Sequence, residues 1–322
     1  MIAQLVEQGK GIVSTDSKGR VQTVLLQKPV EVSTKAGVFV PSVSTSGDDG
    51  IDTRKKEAPV KFYPSGRLRS LPLEEAAQIT TSVGKLEAEL LTFYESGSVK
   101  RVFPLNGKIS GFWSEKDEYK LAPEIEIDCY GRIMRLKPIY LQFYETGELE
   151  SIAFWPSDRA LFDTPIGTIV ARNGVSFYKS GKVRSIEPVQ PIVVSTAIGP
   201  IEAFDPDPEG VCAETASLCF SPQGEVTSLS TSACTVAVTR EDGTASEYSP
   251  LEVKSMCSDL VTAISPLKIC IADKAAVFGR GHKVIGSEPL TGTFSVGLYS
   301  PPAKEKDACA DDCSFGCAGC GA

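Results

Sequence analysis

The sequence predicts an all-β fold, made of repeated antiparallel β-hairpins in an extended or twisted meander with a short Cys-rich C-terminal tail. Three observations predict it. A Phe-Tyr-x-x-Gly signature occurs five times, the last copy with Ser in place of Tyr. A Thr-x-x-Gly step recurs between the copies. Aromatic and β-branched residues alternate around both, as half-buried strands require.

The copies begin at Phe62-Tyr63, Phe93-Tyr94, Phe143-Tyr144, Phe177-Tyr178 and Phe220-Ser221, with turn glycines at Gly66, Gly97, Gly147, Gly181 and Gly224. Apolar pairs follow each glycine: Leu68 and Leu71, Val99 and Val102, Leu149 and Ile152, Val183 and Ile186, Val226 and Leu229. The glycine supplies the positive φ of a tight hairpin turn. Each copy therefore predicts one hairpin, whose Phe and Tyr are packing residues. The shorter elements Thr34–Gly37, Thr81–Gly84, Thr164–Gly167 and Thr196–Gly199 predict turns of intervening hairpins, so a full unit contributes about four strands. This hairpin unit resembles MORN-type repeats, in the looser variant of some bacterial antitoxin-like proteins, over roughly Phe62 to Leu229. The resemblance implies a twisted antiparallel meander and leaves function open.

On this pattern the chain divides into a β lead-in at 1–57 with a mobile loop at 42–57, a hairpin array at 58–230, a β extension at 231–302 and a Cys-rich tail at 303–322. Strands are expected at Cys234–Thr239 and Leu267–Ile271. The best candidate for a helical turn is Leu73–Gln78, and Glu115–Glu118 reads as a solvated turn.

The tail carries the strongest chemical signal: Cys309, Cys313, Cys317 and Cys320, at steps of 4, 4 and 3. A straight helix would spread them over about 16 Å, too far for one metal or small cluster to collect. Gly316 and Gly319 permit a wrapping loop instead. Crowded thiolates, with Asp307, Asp311 and Asp312 beside them, would be relieved by a bound cation. Short, contiguous cysteine spacing suits a [4Fe-4S] cluster, with zinc as the alternative. The last three cysteines also match the spacing of the radical S-adenosylmethionine motif. Gly319 stands where that motif often has an aromatic, and that family places the motif early, ahead of a long α/β barrel, whereas here only two residues follow Cys320, so this likeness is set aside. The other six, Cys129, Cys212, Cys219, Cys234, Cys257 and Cys270, sit singly in apolar surroundings and read as small buried hydrophobes.

Other candidates are weak. His282, the single histidine, has no partner carboxylate or nucleophile at a telling distance and reads as a turn residue. Asp205-Pro-Asp-Pro-Glu-Gly210 begins like a calcium loop, but Ala216 stands at the twelfth position, so an acidic surface turn is expected. The 33 basic against 41 acidic residues give a net charge of -8, which disfavours nucleic acid and anionic membranes as partners. No segment has 18 uninterrupted apolar residues, so no membrane span is expected. Met1–Val13 has neither a basic leader nor a long apolar run, which points to the cytoplasm and reduced thiols. The expected function is a non-enzymatic scaffold that presents a surface to a protein partner. The alternative is an iron–sulfur electron-transfer protein acting through its tail.

Overall fold

The computed structural model describes residues 1–44, 58–106, 114–208, 213, 216–255 and 258–301. Antiparallel pairing dominates. One 16-stranded sheet runs from an edge strand at Ile12–Thr15 to another at Lys283–Pro289, so the hairpin array and both its flanks share it.

All five aromatic copies form the same turn. The amide of the residue after Phe donates to the carbonyl of the residue after Gly, at 2.7–2.8 Å, and the Gly amide donates back at 2.8–2.9 Å. The five glycines have φ between 78° and 104°, where a Cβ costs roughly 1–2 kcal/mol. Each hairpin also slips register by one residue at its Phe. This β-bulge explains why the apolar positions after each turn are three apart: one extra residue restores both to the same face.

The result is two rows that cross the sheet. Leu71, Leu91, Val102, Leu141, Ile152, Val175, Ile186, Leu218, Leu229, Ile269 and Phe278 are successive cross-strand partners. All are at most 1% exposed. One residue along each strand lies on the opposite face. There the row reads Thr23, Lys61, Ser70, Thr92, Arg101, Gln142, Ser151, Ser176, Ser185, Cys219, Ser228 and Cys270. We call these the inner and outer faces.

The Thr-x-x-Gly elements are hairpin turns, as expected. In each, the Thr hydroxyl donates to the Gly carbonyl and accepts from the amide two residues on. Their hairpins, with a further one at Ile125–Cys129 and Arg132–Leu136, bring Phe39, Ile127, Met134, Phe162 and Ile201 into the same core as the inner-face row.

Three expectations are corrected. Leu73–Gln78 is not a helical turn but part of the strand Leu68–Thr81. Its helix-favouring Leu-Glu-Glu-Ala-Ala-Gln run is overridden by pairing: Glu74 donates its amide to Val40 and accepts from Val43, and Ala77 pairs with Ala88. Ser42 and Ser44 of the expected mobile loop are pinned, to Pro72, Leu73 and Leu26, while 45–57 lies outside the described residues. Glu115–Glu118 begins a helix, Glu115–Leu121, whose Ser114 and Asp117 cap each other reciprocally and whose Glu118 is buried. A second short helix, Ile2–Glu7, opens the lead-in and buries Leu5 completely.

Candidate functional site

Cys309, Cys313, Cys317 and Cys320, the metal ligands expected from the sequence, lie outside the described residues, as do Cys212 and Cys257. Among the described residues no group of three or more His, Cys, Asp or Glu is placed to hold a metal ion. Cys129 and Cys234 are buried, as expected, and burial pushes the Cys129 thiol up to about 12. Cys219 and Cys270 are not core residues. They flank Ser228 in the outer-face row, with Cys270 Sγ 3.4 Å from Ser228 Oγ and the Cys219 thiol raised by burial to about 11. His282 is exposed in the turn at Gly281. Asp205 accepts from the Asp207 amide at 3.0 Å, closing a tight acidic turn.

The outer face is where distinct side chains converge. Because Tyr follows the inward Phe, each tyrosine ring turns outward, and its hydroxyl reaches the next hairpin. Tyr63 donates to the Phe93 carbonyl, Tyr94 to Phe143, Tyr144 to Phe177 and Tyr178 to Phe220, at 2.7–2.8 Å. Burial raises the Tyr94 and Tyr144 phenols above their ordinary range. Ser221 ends the series. One such bond is worth about 1 kcal/mol, so Tyr94→Phe should lower stability by about that much. Urea unfolding checks it; no change would mean the ladder does not couple neighbouring hairpins.

Cations cover these rings. Arg69 lies 5.8 Å from the Tyr63 centroid, Lys100 5.4 Å from Tyr94 and Lys179 5.3 Å from Tyr144. Arg69 and Lys100 are each the third residue after a turn glycine. In the next two hairpins that position holds Glu150 and Arg184, which pair at 3.6 Å. Glu150 also accepts from Gln142, which accepts in turn from Arg101 at 2.5 Å. The middle of the face is therefore neutralised internally. At its near end Lys61, Arg69 and Lys100 have no ion-pair partner among the described residues.

Part of the face is covered. Trp155, Ala122 and Leu105 form one small apolar cluster on it, and Tyr140, Ala153 and Ala213 another. Beside the second, Glu187 is buried and accepts from Arg172 at 3.1 Å and from the Ser217 amide and hydroxyl at 2.8 and 2.9 Å. Elsewhere, a groove of about 500 Å³ lies between the Thr34–Gly37 and Gly147 turns, lined by Lys35, Thr81, Ser82, Ser98 and Glu148. No expected catalytic or metal residue falls in it. No family model, curated protein or solved structure matches the chain.

The signal for the outer-face row was present in the sequence. A polar residue or Cys precedes every inward Phe: Lys61, Thr92, Gln142, Ser176 and Cys219. The strand order that makes these residues neighbours was not.

Proposed function

We propose that the protein is a non-enzymatic scaffold, an array of MORN-like hairpins whose outer sheet face docks a protein partner. The observation that carries this reading is the outer-face row itself. It is a polar stripe that is buried from Gln142 to Ser185 and reaches solvent at its two ends, on a face whose hairpins are tied to one another by tyrosine hydroxyls, and so its open ends are ordered before any partner arrives. A second reading rests on the spacing of Cys309, Cys313, Cys317 and Cys320, as an iron–sulfur site that acts through the tail.

One experiment separates the two. A photo-crosslinking amino acid is placed at Ser70 on the outer face or at Val193, which is 68% exposed on an intervening hairpin. Each is tested in the full chain and in a chain ending at Lys306. A discrete protein adduct at Ser70 that survives truncation, without one at Val193, is the expected result. Adducts lost on truncation, together with iron bound only by the full chain, would replace the scaffold with the redox reading. Equal adducts at both positions would remove the outer face from consideration.

A further inference from the structure

We infer that the near end of the outer face, around Lys61, Arg69 and Lys100, takes an acidic peptide segment of the partner. This rests on the scaffold reading and names the chemistry that its face selects. The position three residues past the turn glycine is charge-compensated in the third and fourth hairpins, where Glu150 meets Arg184. In the first and second hairpins it carries Arg69 and Lys100, and neither has a carboxylate partner among the described residues. Lys61, on the neighbouring strand, adds a third cation. A chain of net charge -8 thus holds, on one face, three cations with no ion-pair partner among the described residues.

Size and geometry choose the occupant. The cluster spans the four strands from Val60–Phe62 to Val99–Phe103, about 14 Å at the usual strand spacing. That length suits four or five residues of extended peptide and two or three carboxylates. A long polyanion would run on past the cluster toward Glu95, Glu145 and Glu150. Nucleic-acid binding would also call for free stacking faces, and the Tyr63 and Tyr94 rings already lie under their cations.

The test is fluorescence anisotropy with a labelled deca-glutamate peptide on the full chain at 50 mM salt. Deca-glutamine, a ten-residue thymidine oligonucleotide and vesicles containing one-third phosphatidylserine serve as comparison probes. The double reversal Arg69→Glu/Lys100→Glu is matched against Lys268→Glu/Lys283→Glu, which changes net charge equally at a distance. The expected result is saturable deca-glutamate binding, weakened at least tenfold by the first pair and less than twofold by the second. Any of three results overturns the inference: no deca-glutamate binding, equal loss in both variants, or tighter oligonucleotide or vesicle binding that the first pair removes. If the Ser70 adduct forms while deca-glutamate fails to bind, only the acidic partner falls and the scaffold stands.

Discussion

Replacing Phe143 by Ala should lower the stability of the protein by about 3–5 kcal/mol, the usual cost of emptying a buried phenylalanine site. Phe143 is 2% exposed, belongs to the third hairpin and lies at the centre of the sheet. It holds three things at once. Its ring fills the inner-face core two residues from Leu141, its position marks the register slip against Leu149, and its carbonyl receives the Tyr94 hydroxyl. The core has little freedom to collapse into the gap, because Leu141 and Leu149 beside it are already completely or almost completely buried. Val38→Ala, at a site 59% exposed, should cost less than about 0.5 kcal/mol. Urea unfolding of both variants measures the contrast. Similar midpoints for the two would mean that the inner-face row is not the load of the fold.

The second large effect is expected at Glu288. This side chain is 1% exposed and takes a two-pronged contact from Arg240, Nε to Oε2 at 2.8 Å and Nη2 to Oε1 at 2.5 Å. The Tyr248 hydroxyl donates to Oε1 as well, and the Tyr248 ring stacks on Phe278 at 4.0 Å over Gly286. Strands Cys234–Thr239, Ala245–Tyr248 and Thr293–Leu298 form a separate three-stranded sheet; Arg240 directly follows the first and Tyr248 ends the second, while Phe278 and Glu288 belong to the end of the large sheet, so this cluster fastens the two together. Glu288→Ala leaves the Tyr248 hydroxyl and the Arg240 guanidinium without their acceptor; because Arg240 is about one-third exposed, water recovers part of the loss, and the cost should be about 1.5–3 kcal/mol. A pH dependence follows. The Arg240 hydrogen bonds hold the Glu288 carboxyl below its ordinary value of 4.5. A depressed folded value means that this stabilisation is complete above the unfolded value and is lost as pH falls through the folded one. Thermal unfolding followed from pH 7 to 3 should therefore show a steeper acid limb in the native chain than in Glu288→Gln. Parallel acid limbs would show that the pair contributes no proton-linked stability.

Gly286 shows why that cluster could not be read from sequence. A Cβ there would lie 2.3 Å from the Tyr248 ring, so the glycine is required by a residue 38 positions earlier in a different sheet. The Phe-Tyr turns were legible because every feature that specifies them lies within about five residues: the aromatic pair, the hydroxyl residue and the positive-φ glycine. The helix at Ile2–Glu7 is six residues long with no side-chain cap, and it exists because Leu5 docks into the core. Short helices gain little from propensity alone. Leu73–Gln78 failed in the opposite direction, since local preference pointed to helix and partners at Val40, Val43 and Ala88 made it strand.

By itself the sequence determined the all-β class, the five aromatic turns, the Thr-x-x-Gly turns between them and the alternation that separates an apolar face from a polar one. These depend on backbone sterics and on the two-residue period of a strand, which act over short distances along the chain. Only the tertiary structure decided that the aromatic hairpins align register on register into a single sheet, that Glu150 neutralises Arg184, and that Arg69 and Lys100 lie on one face with no ion-pair partner among the described residues. Charge compensation depends on distance in space. Residues 31 apart in sequence become neighbours only when the strand between them folds back and the tyrosine of one hairpin reaches the carbonyl of the next.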